Sequence, residues 1–542
     1  MKNKKIILGL ILGLSLFLRL YKLGHLEPFG DEIDVGYHAY SLWHTGRDYY
    51  GQLLPTYIHS FSEWRAPLLM YVTAPVVGLL GLNAWTVRLP VVLLGVLNVY
   101  LVYCLVKELT DDENWGLISS FVLAVIPWHV HYSRTAFEST LLLGLILGGT
   151  LFFFKEKFSL SSLLYGLSFY AYNTANVFVP FLGLVLIITK RKKVFSDLKR
   201  MILPAVIFLV VSLPIIFQVF FGQAAGRFNL ISIFGDDVTI RKIIHLRNTG
   251  VNPRIERVFH NKLTGWGGVF VNNYITSLSS QFLFLTGDPN PRHSLPNYGQ
   301  LFWLLAPFLV LGLLSLPKVK IRQFKVLIIS WMLISPIPSA LTVGGGNQAT
   351  RLFLMLPPLV ILIALGFKSV KNKLLRVSGL GLIFLSLIFF LHNYFVHYQQ
   401  EAYRHWHYGY REAMTWLKDN RNEQRVIISN ALEPGLIRYL FWNELNPKEF
   451  QQNFEDDQLK KDIFTDFDGF KVKNTYFGLI TSEDKINWLK DNLNSDDLFL
   501  AYQGKEAPGD WDWQLSPPEG LEVVKAVDDP WGKPLMYWVT SK

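Results

Sequence analysis

The feature that most constrains this chain is a series of apolar runs of about the length a lipid bilayer demands. A helix needs roughly 20 mostly apolar residues to cross about 30 Å of hydrocarbon. Residues 5–23, 86–106, 115–128, 137–154, 160–173, 175–189, 201–221, 298–316, 326–342, 351–367 and 377–394 are such runs, or short versions of them. They predict about eleven spanning helices and a mainly α, polytopic membrane protein. The short pair 160–173 and 175–189 also reads as one long kinked span. The start, Met1–Lys5 followed by an apolar run to Leu20, has the look of a signal peptide. No small-x-small cleavage site follows, so an uncleaved first span is expected.

Charge divides the chain. Only 17% of the 542 residues are charged and 51% are hydrophobic, against a usual charged share of roughly 25%. This excludes a disordered chain and fits an ordinary soluble enzyme poorly. Residues 401–542 carry 25 acids and 17 bases, whereas residues 1–400 carry 17 acids and 35 bases. The expected organisation is a membrane-embedded domain over 1–400, with external loops 24–85 and 222–297, and a soluble, acidic domain over 401–542. The bases lie between the apolar runs, which points to membrane topology and not to nucleic acid. Cys104 is the single cysteine, so neither a disulfide framework nor a cysteine metal site can form within one chain.

The loops carrying Lys2–Lys5, Lys190–Arg200, Lys318–Lys325 and Lys368–Arg376 are basic and are expected on the cytoplasmic side. The N-terminus is then cytoplasmic, and 24–65, 129–136, 222–297, 343–350 and 395–542 lie outside a cell membrane crossed many times. Residues 66–82 are apolar enough to span but break this parity, so an interfacial or re-entrant segment is expected there. The tail alternates strand-like runs (425–430, 476–481, 498–503, 521–527, 535–540) with helix-like ones (409–420, 433–443, 483–493). It reads as a small α/β extracytoplasmic domain.

Of the 17 acids before residue 401, Asp31, Glu32, Asp34, Asp48, Glu63, Glu138, Asp236, Asp237, Glu256 and Asp288 fall in or at the edge of external segments. Ionisable groups at membrane depth are costly, which makes them candidates for function. Asp31-Glu32 follows the first span. A carboxylate there can take a proton from an alcohol, or the pair can cap a helix beginning near Ile33. Glu63 and Arg65 stand before the interfacial segment, as an acid beside a phosphate-binding cation or as a plain exposed pair. Arg134 and Glu138 have i, i+4 spacing and can simply pair on a helix, but at an outer span end the arginine could hold a phosphate. His129 and His131, with Glu63, could hold a divalent metal, or serve as interfacial hydrogen-bonding groups. Arg292 and His293 close the long loop as further substrate-binding candidates. The glycine-rich 344–351 turn lacks the lysine of a phosphate loop. Its Arg351 could snorkel to headgroup level or bind a phosphate.

The order of these motifs is more specific than any one of them. An external Asp31-Glu32 is followed by Gly46-Arg47-Asp48, Leu54-Pro55, Glu63-Trp64-Arg65-Ala66-Pro67, Asn83–Pro90, Arg134–Glu138, and Arg351 with Pro357-Pro358. This resembles the membrane GT-C glycosyltransferases of the protein O-mannosyltransferase and lipid A aminoarabinose transferase type, over roughly residues 5–400. The resemblance implies a polyprenyl-phosphate sugar donor, membrane lipids as surroundings, and a hydroxyl acceptor (protein, lipid or glycan) in the cell envelope. It implies catalytic roles for Asp31 as base and for Glu32 and Glu63. Arg65, Arg134 and Arg351 would bind the donor phosphate, and Glu138, His129, His131, Arg292 and His293 are candidate substrate-binding residues. The family's Glu-Lys-Pro-Pro motif is matched only approximately by Glu63–Pro67, whose extra residue shifts the cation. Some relatives carry a metal near that acid and others do not, so the resemblance names no certain cofactor. A flippase of lipid-linked sugars, or a non-catalytic envelope assembly protein acting through its tail, are the competing readings.

Overall fold

The computed structural model describes residues 2–60, 63–222, 231–250, 252–421, 424–453 and 463–542. Every expected apolar run is helical. Among the described residues, five helices are long and apolar enough to cross a membrane: Ala84–Thr110, Leu198–Val219, Arg322–Ala340, Ala349–Ser369 and Lys373–Ala402. Shorter apolar helices are Leu68–Leu80, Glu138–Phe154, Ala175–Thr189 and Trp303–Lys318. The chain is a multi-pass membrane protein of mainly α structure. Leu68–Leu80 occupies the segment expected to fall short of spanning. Its 13 residues reach about 20 Å at 1.5 Å per residue, well under a bilayer core.

Contacts group the chain into two units. The first comprises Met1–Leu23, Thr56–Leu69 and Arg88–Val396; the second comprises Gly24–Pro55, Met70–Val87 and His397–Lys542. The 24–55 and 70–87 segments of the first external loop thus pack in the same unit as the tail.

In the first unit, prolines punctuate the helices. Glu113–Val125 ends at Ile126, extended at φ −64°, ψ 142°, and Pro127 opens the next helix, Pro127–Tyr132. A residue preceding proline is driven out of the helical region, which sets this break. The most buried of the five long helices is Ala349–Ser369, 89% inside, whereas Leu198–Val219 is only 17% inside and offers its side chains outward. Trp303–Lys318 lies so close to Ala349–Ser369 that a Cβ on Gly312 would stand 1.9 Å from the Leu362 carbonyl oxygen. Small residues at such crossings let helix backbones touch. A two-stranded hairpin, β1 (Ile58–Ser60) and β2 (Glu63–Arg65), completes this unit.

The second unit is built on a six-stranded mixed sheet of β3 (Val426–Ser429), β4 (Phe467–Val472), β5 (Thr475–Ile480), β6 (Leu498–Tyr502), β7 (Leu521–Asp528) and β8 (Pro534–Ser541). Its order is β4-β5-β3-β6-β8-β7. β3 pairs parallel with both its neighbours, β5 and β6, and all four of its residues are buried, as an inner strand covered on both faces should be. Ile427, Trp488, Phe499, Trp513 and Tyr537 form its core. The five expected strands and three expected helices are present. One strand was not expected: β4, an edge strand in which Gly469 faces Gly478 of β5. Helix Gly30–Thr45 packs on Gly435–Trp442 through Gly36, where a Cβ would meet Phe441 at 2.7 Å.

Candidate active site

The first unit gathers most of the expected residues. Arg65, on β2, places Nη1 3.8 Å from Glu138 Oε1, with both side chains largely buried. The anticipated Arg134–Glu138 pair is thereby replaced: Glu138 opens helix Glu138–Phe154 and its hairpin neighbour is Arg65. The side chain of Glu63 lies outside the described residues.

Arg134 is 3% exposed and works on backbone. Nη1 donates to Leu18 O (2.7 Å) and Arg19 O (3.0 Å), and Nη2 to Lys22 O (3.1 Å). The last carbonyls of a helix have no partner within it. Here Tyr21 N–H takes Phe17 O, Leu23 N–H takes Leu20 O, and Arg134 takes the two between. The guanidinium also lies over Tyr394 and Phe395, 5.3 and 4.9 Å from the ring centroids. Arg134 therefore caps the first helix.

His131 Nε2 bonds Arg292 O at 2.8 Å. A carbonyl only accepts, so Nε2 carries the proton and Nδ1 receives the Tyr394 hydroxyl at 3.2 Å. His129 Nδ1 instead meets Arg19 Nη2 at 2.7 Å. The two histidines do not converge, and a cation beside Arg19 would be repelled. Among the described residues no three His, Cys, Asp or Glu side chains could hold a metal ion. The pair expected as ligands does not fit a metal.

Tyr132 links the remaining residues. Its hydroxyl meets Thr350 Oγ1 at 2.8 Å and His293 Nδ1 at 3.1 Å. Next to Thr350, Arg351 donates from Nη1 to Thr342 Oγ1 at 2.6 Å. Asp288 accepts from Ala349 N–H and Asn290 N–H, both at 2.8 Å, and so caps the helix that presents Arg351. Burial raises the Asp288 carboxyl to about 6, more than these donors and Arg351 lower it. Tyr132, Thr350 and Arg19 are not among the candidates read from the sequence, whereas Asp288 is, as an external acid. Arg19 had a signal, a cation inside an apolar run: it is fully buried and donates to Ser133 Oγ, Ser15 O and Ala124 O.

In the second unit, Asp31 and Glu32 stand in the first turn of helix Gly30–Thr45, which starts earlier than expected. Its N-cap is Phe29, with no side-chain cap bond. The helix dipole favours negative charge at this position. Asp31 is half-buried and Glu32 fully buried. His407 bonds nearby: Nδ1 accepts from Gly30 N–H (3.2 Å) and from the buried Arg438 (2.6 Å), and Nε2 faces Glu433 at 3.0 Å. Glu27 accepts from Gly409 N–H at 2.9 Å and from Arg411 N–H, and burial pushes its carboxyl up to about 7. His407, Tyr410, Glu433, Asp512 and Asp529 are among the walls of a cavity of about 850 Å³.

This architecture is the GT-C fold of membrane glycosyltransferases. The family model for dolichyl-phosphate-mannose-protein mannosyltransferase matches residues 64–217, a stretch that holds Arg65, Arg134 and Glu138. The chain is similar to ArnT from Cupriavidus metallidurans in its crystal structure bound to undecaprenyl phosphate, with a TM-score of 0.56 at 12% identity over 98% of this chain and 97% of that one. It also aligns with the Archaeoglobus fulgidus oligosaccharyltransferase in the apo form, at a TM-score of 0.47 and 14% identity, over 81% of this chain and 63% of that one. No curated protein matches by sequence.

Proposed function

We propose that the chain is an inverting glycosyltransferase that moves a sugar from a polyprenyl-phosphate donor to a hydroxyl of a protein, lipid or glycan at the outer face of the membrane. The observation that carries this reading is a fold shared, nearly end to end, with a protein crystallised on a polyprenyl phosphate. In this reading about eleven helices span the membrane, the N-terminus is cytoplasmic and residues 401–542 are extracytoplasmic.

The chemistry is one displacement. The acceptor hydroxyl gives its proton to Asp31, assisted by Glu32 and Glu63, and its oxygen attacks the anomeric carbon. The bond from that carbon to the phosphate oxygen breaks, and polyprenyl phosphate leaves with the electron pair. Arg65 and Arg351 meet its charge. A phosphate leaves well as an anion, so no general acid is required, unlike glycoside hydrolysis. Glu138, which faces Arg65, His293, which bonds Thr350 beside Arg351, and Arg292 serve the donor in this reading. Arg134 and His131 hold backbone and tyrosine, and shape the site from behind.

The test is release of polyprenyl phosphate by purified protein offered a panel of polyprenyl-phosphate sugars. One sugar should be turned over by wild type and not by Asp31→Asn. Turnover near wild type by a folded Asp31→Asn variant would remove Asp31 from its role.

A further inference from the structure

A basic cavity lies in the first unit, apart from the cluster around Arg65 and Arg351. Helices Ala175–Thr189 and Arg322–Ile334 pack together, with Phe178 and Trp331 rings 5.8 Å apart. Where the first ends and the second begins there is a cavity of about 540 Å³. Lys190, Arg191, Lys192, Lys193 and Arg322 line it, and Glu156 is the one carboxylate among them. Glu156 Oε1 lies 3.4 Å from both Lys190 and Lys193, and Lys190 also donates to Phe154 O at 2.8 Å. Glu156 thus touches two of the five cations and cancels one charge, which leaves the lining at a net charge of about +4. Arg191, Lys192 and Arg322 remain at an exposed rim.

The apolar surface beside the cavity says what kind of anion fits. Ile188 and Val326 belong to its wall. Phe181, Leu184 and Ile188 follow i, i+3, i+7 spacing on one helix, as Val326, Ile329 and Leu333 do on the other, so each trio forms a stripe on one helix face. Phe181, Leu184, Ile188, Ile329 and Leu333 are all exposed by 46–56%. The helices run in opposite directions from this point, so both stripes rise away from the basic end for about 10 Å at 1.5 Å per residue. A cationic cup beneath two apolar stripes matches a phosphate headgroup with acyl chains attached. Basic pockets between spanning helices are suited to such headgroups.

We propose that this groove binds an anionic glycerophospholipid, its phosphate seated among Arg191, Lys192 and Arg322 and its chains along the two stripes. The proposal is independent of the sugar-transfer reading.

The experiment is native mass spectrometry of the full chain in detergent, titrated with phosphatidylglycerol, phosphatidylcholine or glycerol 3-phosphate. Wild type should retain phosphatidylglycerol and bind the other two far more weakly. The triple variant Arg191→Gln, Lys192→Gln, Arg322→Gln should bind phosphatidylglycerol roughly 100-fold more weakly, at about fivefold per headgroup base. Glu156→Gln, which removes the opposing charge, should tighten binding and gives a test of opposite sign if the triple variant does not fold. Equal retention by wild type and triple variant, or weaker binding by Glu156→Gln, would overturn the proposal. Glycerol 3-phosphate binding as well as the lipid would overturn it too, by identifying a soluble phosphate site.

Discussion

Arg134 offers a sharp test, because its two candidate roles predict opposite results. Arg134→Met keeps the volume and removes the guanidinium. Three carbonyls, Leu18, Arg19 and Lys22, lose a charged donor. Hydrogen bonds to charged groups net roughly 1.5–3 kcal/mol each, so about 6 kcal/mol is at stake. Relief from burying the cation returns several kcal/mol, which leaves a net loss of about 3 kcal/mol. An unfolding entropy of about 2.1 cal/mol/K per residue, over 542 residues, makes that a fall of about 3 °C. Arg134→Lys keeps the charge but not the fork and should fall about half as far. The assay pairs thermal unfolding of the purified variants with polyprenyl phosphate release at a temperature where all are folded. A lowered midpoint with release retained, and a donor KM that rises more for Arg134→Met than for the charge-keeping Arg134→Lys, is the expected outcome. An unchanged midpoint with release abolished would refute the capping argument and make Arg134 a ligand of the phosphate.

Two more outcomes are expected. Arg351→Gln should lower the unfolding midpoint by no more than about 2 °C, for one lost bond to Thr342, and raise donor KM about tenfold, the equivalent of one charge-assisted hydrogen bond of about 1.4 kcal/mol; an unaltered KM in steady-state release would exclude Arg351 from donor binding. Asp288 sets a pH dependence: burial raises its carboxyl from 3.8 to about 6, so the fold keeps its proton where the unfolded chain has lost it. Its contribution is most favourable below pH 4 and is lost as pH rises towards 6, by about 3 kcal/mol at 1.36 kcal/mol per pKa unit. Denaturant titrations from pH 4 to 7 should show that loss in wild type and not in Asp288→Asn; identical slopes would sink the assignment.

The fold was largely legible because hydrophobic periodicity and proline act locally. Apolar runs became helices, and the breaks came where Pro127 and Pro336 forbid continuation. The unexpected strand β4 carries Asp468-Gly469, a turn-favouring pair. Only pairing with β5, glycine against glycine, makes it a strand, and that is a non-local fact. The site was legible as residue types and not as roles. Asp288 caps a helix 61 positions later, and nothing near either position in the sequence announces it. Arg134 looked like a partner for Glu138 on a shared helix face. The helix actually starts at Glu138, so the i, i+4 argument fails and Arg65 takes the place.

Structural arginines in this unit still bear on chemistry. Arg19 and Arg134 direct their hydrogen bonds to carbonyls, a serine hydroxyl and a histidine ring, all of them neutral acceptors. Such bonds satisfy donors without cancelling charge. A buried cation is screened less by salt than a surface one. At about 10 Å and an effective dielectric near 20, one unit charge shifts a phosphate by about 1.7 kcal/mol. Two such cations, held in place by the end of the first helix, bias the unit toward anions without touching one. A cap and an electrostatic role are thus compatible in one residue. What separates Arg134 from a phosphate ligand is the stability it contributes, and the thermal midpoint reads that directly.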